Sequence, residues 1–173
     1  NLSSLDFRFT RIEGQTGVNC ISADTFQFTP KIRYILIDSR YWGVNTSIND
    51  NAFAFNTDLY YFWFRTYGKT TGKFPSLSSC PKIAYIIAYS NSFDGNMPSF
   101  STNQFIYYIN LSSNNFSGAI PAFTDKFNLR YLFLQNNQFN SLNTFTGLNI
   151  LLYFYVHNNN ISGTIPDFSG CPK

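Results

Sequence analysis

A triplet of apolar positions recurs along the chain in a constant spacing: an apolar residue, two variable residues, a second apolar residue, one variable residue, a third. It reads Leu2-Leu5-Phe7, Ile32-Ile35-Ile37, Leu59-Phe62-Phe64, Ile83-Ile86-Ala88, Ile106-Ile109-Leu111, Leu129-Leu132-Leu134 and Leu151-Phe154-Val156. The units start near residues 2, 32, 59, 83, 106, 129 and 151, at intervals of 22 to 30 residues. A period of this length marks units that cannot bury an apolar face alone and must stack on their neighbours. Residues 1–173 are therefore expected to form a single solenoid of seven units. Cys171-Pro172-Lys173 repeats the Cys80-Pro81-Lys82 that directly precedes Ile83, and neither end reads as a cap, so a segment of a longer repeat protein is expected.

The spacing also says what each unit contains. Alternate residues of a strand point to opposite faces, so the second and third apolar positions share one side and the residue between them faces out. Each unit contributes one short strand to a parallel sheet. In the last four units the frame runs on to Asn91, Asn114, Asn137 and Asn159, then to Phe93, Phe116, Phe139 or Ile161, then to Gly95, Gly118, Ser141 or Gly163. Met97-Pro98, Ile120-Pro121 and Ile165-Pro166 follow, with Phe100, Phe123, Phe145 and Phe168 behind. An inward Asn amide can bond the backbone of adjacent turns, Gly permits the bend, and Pro suits an extended return path. The Asn slot is taken by Thr10, Arg40 and Tyr67 in the first three units.

Segments such as Asn114-Asn115-Phe116-Ser117-Gly118-Ala119-Ile120-Pro121 and Asn159-Asn160-Ile161-Ser162-Gly163-Thr164-Ile165-Pro166 resemble the leucine-rich repeat family, in its Asn-x-Phe-Ser-Gly-x-Ile-Pro subtype. That subtype is familiar from plant receptor ectodomains and from surface proteins of bacteria and phages. The resemblance implies a parallel β solenoid, a right-handed curved coil with one strand per repeat. Short convex segments rich in Pro, Ser and Asn favour extended or 3₁₀ structure there, with little or no α-helix.

Within this frame the outward positions form columns along the concave sheet. Position three reads Ser4, Tyr34, Tyr61, Tyr85, Tyr108, Tyr131 and Tyr153; position five reads Asp6, Leu36, Trp63, Ile87, Asn110, Phe133 and Tyr155. Position two reads Ser3, Arg33, Tyr60, Ala84, Tyr107, Arg130 and Leu152. Rings repeated at the strand spacing can stack as a cross-strand ladder, and an extended aromatic area is also a binding surface. The candidate ligand-binding residues are Tyr34, Tyr61, Trp63, Tyr85, Tyr107, Tyr108, Tyr131, Phe133, Tyr153 and Tyr155. Position seven places Arg8, Asp38 and Arg65 on successive strands, and an exposed Arg-Asp-Arg row of small energetic weight is expected there.

Catalysis needs convergent titratable groups. The single histidine, His157, lies five repeats from the strand-face carboxylate of Asp38, about 24 Å at the strand spacing. No Cys or His pair has metal-ligand spacing, and no Gly-rich phosphate loop follows a strand. No enzyme activity, metal or cofactor is expected. The formal charge of +3 is too small, and its 12 cations too dispersed, for a nucleic-acid surface. No apolar run approaches the ~20 residues of a membrane span, so no membrane insertion is expected. Cys80 and Cys171 occupy equivalent slots too far apart to bridge, and with Cys20 they read as three free thiols, the repeat pair acting as small buried hydrophobes.

Together these readings point to a non-enzymatic recognition or adhesion module of a cell-surface, secreted or virion-surface protein, binding a protein or glycan on its aromatic face. A structural segment of a fibre, tail appendage or filament assembled by end-to-end self-association is the alternative, and a plant-type receptor ectodomain a further one.

Overall fold

The computed structural model describes residues 2–8, 19–40, 46–168, 170 and 171, with backbone alone at 19 and 20. Its spine is a parallel sheet of seven strands, one from each unit: β1 (Ser4–Arg8), β3 (Tyr34–Asp38), β5 (Tyr61–Arg65), β7 (Tyr85–Ile87), β9 (Tyr108–Asn110), β12 (Tyr131–Phe133) and β15 (Tyr153–Tyr155). The other eight strands lie elsewhere on the coil. β6 (Thr71–Lys73), β8 (Ser92–Asn96), β10 (Asn115–Ile120) and β13 (Gln138–Leu142) make a second parallel sheet. Two small ladders complete the set, β2 (Asn19–Ile21) with β4 (Ser47–Ile48), and β11 (Phe123–Thr124) with β14 (Phe145–Thr146).

The register of the spine follows the apolar frame. Ile35, Phe62, Ile86, Ile109, Leu132 and Phe154 are successive partners, as are Tyr34, Tyr61, Tyr85, Tyr108, Tyr131 and Tyr153. A one-residue slip would exchange the buried and outward rows, so burial of one face locks the register. From the second unit to the sixth, every residue of the apolar triplets is at most 2% exposed. In the terminal units Leu2 and Phe7 are 45% and 39% exposed, and Phe154 and Val156 are partly buried, since each has a neighbouring turn on one side only.

The asparagine slot behaves as expected. Asn114 Oδ1 accepts from Phe93 N at 3.1 Å, and its Nδ2 donates to the carbonyls of Ala88 (2.8 Å) and Leu111 (3.1 Å). Asn91, Asn137 and Asn159 repeat the pattern, so adjacent turns are tied through buried amides. Gly95, Gly118 and Gly163 hold φ of +71°, +72° and +97°, the left-handed bend that follows. Behind them Phe93, Phe116, Phe123 and Phe139 are fully buried, with Phe100 and Phe145 nearly so.

The convex flank is extended, as expected, and no 3₁₀ or α-helical turn occurs among the described residues; beyond that expectation, its extended segments join into the second sheet. There the Phe-Ser-Gly stretch pairs with its copy one turn away, giving the backbone a ladder partner that an isolated turn lacks. In the third unit Tyr67 does not substitute for the inward Asn. Its ring lies outward, 4.5 Å from the Arg65 guanidinium, while the fully buried hydroxyls of Thr66 and Thr70 bond each other at 2.9 Å and Thr66 bonds Asn91. Arg40 is likewise exposed, stacked over Tyr67, and Thr10 lies outside the described residues.

Cys80 is more than a small hydrophobe. It is fully buried, and its Sγ donates to the Phe53 carbonyl at 3.7 Å. The same slot in neighbouring units holds Asn56, Asn103 and Lys126, each donating to carbonyls one turn earlier. A second side-chain ladder thus runs through the turns before the spine strands. Burial lifts the Cys80 thiol to about 12 and pulls the Lys126 ammonium down.

Candidate functional site

The concave face is where the outward columns meet, and the hydrogen-bond ladder makes each column continuous. At position two the amide of each residue bonds the carbonyl of its predecessor: Arg33 to Ser3, Tyr60 to Arg33, Ala84 to Tyr60, Tyr107 to Ala84, Arg130 to Tyr107 and Leu152 to Arg130, at 2.8 to 3.0 Å. The side chains of that column are therefore spaced by one strand.

The position-three tyrosines form an unbroken ladder. Ring centroids lie 6.4 Å apart for Tyr34 and Tyr61, 5.3 Å for Tyr61 and Tyr85, 6.5 Å for Tyr85 and Tyr108, 5.6 Å for Tyr108 and Tyr131, and 5.5 Å for Tyr131 and Tyr153. These separations suit offset or tilted aromatic pairs. At position five Phe133 packs edge-on against Tyr108 and Tyr155, at 5.5 and 5.1 Å, extending the surface sideways. Trp63 lies apart from that group, between Leu36 and Ile87, with the Arg8 guanidinium 5.9 Å from its ring. Its indole N–H is buried with no partner among the described residues.

All ten residues singled out from the sequence thus lie on one face, half-buried in the middle units and exposed at Tyr153 and Tyr155. The phenols of Tyr61 and Tyr85 titrate above the ordinary range, chiefly through burial, and that of Tyr131 does so chiefly through the Tyr107 hydroxyl. These three phenols are therefore neutral near pH 7.

The expected Arg-Asp-Arg row does not form. Arg65 grips Asp38 through Nε (3.0 Å) and Nη2 (2.7 Å), whereas Arg8 folds back onto Asp6 of its own strand at 2.6 Å. Asp38 is 3% exposed and the Arg65 side chain 19%, so the acid is buried and the arginine partly so, with Arg65 packed between Tyr67 and Tyr89 and its Nη1 donating to the Tyr89 hydroxyl. Asp6, two residues away on the same strand, holds Arg8 while its guanidinium leans over the sheet toward Trp63.

Beside the candidate Tyr107, position two holds Arg33, Tyr60, Ala84 and Arg130, which were not among the ten residues expected to bind. Ala84 is the only small side chain between Tyr60 and Tyr107, and a recess of about 540 Å³ opens there. Its floor is Ala84, its walls are Tyr60 and Tyr107, and Tyr85, Phe105 and Lys82 stand around it. Both walls lean on the Tyr85 ring, at 5.6 and 5.4 Å. Outside the walls stand Arg33, 5.9 Å from the Tyr60 ring, and Arg130, 5.8 Å from the Tyr107 ring. Lys31 and Lys82 converge on Asp58, whose carboxyl is held below its ordinary range chiefly by Lys82. An interruption of large residues by one alanine was the available signal in the sequence.

No group of three or more His, Cys, Asp or Glu able to hold a metal occurs among the described residues, and His157 lies against Tyr155 with ring centroids 6.0 Å apart.

The fold is that of the leucine-rich-repeat solenoids. The Leucine Rich Repeat family model matches residues 105–127, the fifth unit with its approach and the turn into the sixth. Among solved structures, a TDR receptor superposes with a TM-score of 0.72 at 19% identity, over 95% of this chain and 28% of that one. The plant peptide hormone receptor RGFR1 in complex with RGF2 gives 0.71 at 22% identity, over 83% and 23%. The Arabidopsis receptor kinase HAESA, in complex with the peptide hormone IDA and the co-receptor SERK1, gives 0.64 at 18%, over 92% and 31%. The chain thus spans under a third of the length of each of these receptors. No curated protein sequence matches it.

Proposed function

We propose that this solenoid is a non-enzymatic protein-recognition module whose concave aromatic face takes a peptide or protein partner outside the cell. The observation that carries this reading is the continuity of the face: five successive tyrosine pairs at ring distances of 5.3 to 6.5 Å, widened by Phe133 and Tyr155. Aromatic side chains combine large contact area with few rotatable bonds and a polar tip, the combination that concentrates binding energy in interfaces. Neighbouring structures of this fold include receptors in complex with peptide hormones, which supports a protein partner over a glycan and an extracellular setting over others.

Selection of a random-peptide display library on the immobilised chain tests the reading, with a glycan array run beside it. Selected peptides are expected to lose about tenfold or more in affinity on Phe133→Ala and Tyr131→Ala variants of unchanged circular dichroism. Peptides that bind both variants as well as the parent, or retention of glycans alone, would overturn it.

A further inference from the structure

The recess at Ala84 has a shape and a charge that specify more than a generic contact. Its flanking residues, Tyr60 and Tyr107, stand two strand spacings apart along the column, about 9.6 Å at the backbone, and both rings lean on Tyr85. A ring placed midway along that spacing would lie about one strand spacing, ~4.8 Å, from each, inside the 4.5–7 Å range of favourable aromatic pairs. The column reads Arg33, Tyr60, gap, Tyr107, Arg130, with each tyrosine backed by an arginine. Ala84 itself is only 4% exposed, so an inserted ring would rest chiefly on Tyr60, Tyr85, Phe105 and Tyr107 around it. The volume of about 540 Å³ falls among those of ordinary ligand sites.

The rim is cationic. Arg33, Lys82 and Arg130 flank the recess, with Lys31 behind, and the carboxylate of Asp58 is shared between Lys31 and Lys82. Apart from the Asn128 amide and the tyrosine hydroxyls, the lining side chains offer the several hydroxyls of a sugar ring no acceptor, since the nearest carboxylate, Asp58, is already engaged by two ammonium groups. A buried hydroxyl left without a partner costs about 1–3 kcal/mol. An aromatic side chain asks for no such partner, and acidic residues on either side of it would meet the arginines.

We propose that the Ala84 recess is the anchor pocket for a single aromatic side chain in an acidic peptide segment, its ring completing the position-two column between Tyr60 and Tyr107 and its flanking carboxylates pairing with Arg33 and Arg130. This rests on the reading of the concave face as a peptide-binding surface, and deepens it by naming the partner's chemistry.

The test uses three fluorescein-labelled synthetic heptapeptides: Gly-Asp-Glu-Trp-Glu-Asp-Gly, the same sequence with Ala for Trp, and the same with Lys for every acid. Fluorescence anisotropy on the whole chain is expected to show the first binding at least about tenfold more tightly than either control, weakening steeply between 50 and 300 mM salt, as for exposed charges in general. Ala84→Met, which fills the recess, is expected to abolish that preference for Trp over Ala; Arg33→Glu with Arg130→Glu is expected to abolish the preference for acid over base. Circular dichroism and thermal melting identify a variant that fails to fold, and Tyr107→Ala, which removes a wall instead of filling the floor, then serves in place of Ala84→Met with the same expected loss. Equal binding of the three peptides to the parent chain, no binding of any, or undiminished Trp preference in folded Ala84→Met and Tyr107→Ala overturns the proposal. If library-selected peptides respond to Phe133→Ala but not to Ala84→Met, the pocket falls while the concave-face reading stands; loss of both responses removes both.

Discussion

Asn114→Ala is expected to destabilise the chain by about 3 kcal/mol, and the figure follows from the partners of the amide. Asn114 is 6% exposed, and its Oδ1 accepts the amide proton of Phe93, a fully buried residue. Removing that acceptor leaves a buried N–H facing a methyl group, at about 1–3 kcal/mol. The two Nδ2 protons serve the carbonyls of Ala88, Leu111 and Ser112, at 2.8, 3.1 and 3.2 Å. Those carbonyls are not orphaned, because Ala88 also accepts from Asn91, Leu111 from Asn137, and Ser112 from the Ser90 amide. Each lost bond there counts only its net worth of about 0.5–1.5 kcal/mol. With a urea slope of about 2 kcal/mol/M, the unfolding midpoint should fall by about 1.5 M. Asn159 makes the equivalent bonds in a partly exposed position, to Phe139 N, Leu134 O and Val156 O, where water can replace it. Asn159→Ala is therefore expected to cost only about 1 kcal/mol. Asn114→Asp is the sharper control: it keeps the shape and the acceptor but turns a carboxylate toward three carbonyls, so it should be at least as harmful as Ala. Equal costs at 114 and 159, or a harmless Asn114→Asp, would refute the view that the ladder acts through buried donors and acceptors.

Three further outcomes are expected. Gly147→Ala should cost more than Gly118→Ala by about 1 kcal/mol in the same urea assay: the two share a φ of +71° and +72°, but a Cβ at 147 would lie 3.2 Å from the backbone N of Asp125, whereas one at 118 meets only the exposed Asn96 side chain, which can rotate away. Asp38→Ala should cost about 3 kcal/mol by stripping the half-buried Arg65 of its bidentate partner, and pairing Asp38→Leu with Arg65→Met should recover most of it, because the uncompensated charge goes too; a single-variant cost below about 1 kcal/mol would contradict this description of the pair. Cys80, whose thiol lies at about 12 against an ordinary 9.0, favours its protonated form in the fold, so its stabilising contribution is complete below pH 9 and is lost as the pH rises toward 12. The unfolding free energy from urea melts should therefore fall more steeply across pH 9–12 for the parent than for Cys80→Ala, by up to about 1.4 kcal/mol per pH unit, and iodoacetamide at pH 8 should leave the Cys80 peptide unmodified in the folded chain.

The apolar triplets and the asparagine slot were legible in the sequence because each is imposed by local geometry. Alternation along a strand decides which of Phe62, Trp63 and Phe64 points inward, and only an inward amide at the end of the strand can bond two turns at once. The same alternation put Tyr34 through Tyr153 in one column on one face. What the sequence could not decide depends on neighbours that are distant in the chain. Arg8, Asp38 and Arg65 share one row, yet Arg8 chose Asp6 and left Asp38 to Arg65, a competition settled by reach and burial rather than by row. The Thr66–Thr70 pair took over the inward role that the frame assigned to Tyr67, because two short hydroxyls fit beside Asn91 where a phenol ring does not. Likewise Asn56, Cys80, Asn103 and Lys126 have little in common as residue types, and only stacked turns show that all four donate to the carbonyls of the preceding turn. The recess at Ala84 is the clearest case. The sequence determined that an alanine stands in that column, but a void exists only where the side chains of adjacent strands surround it, and their distances are set by the sheet.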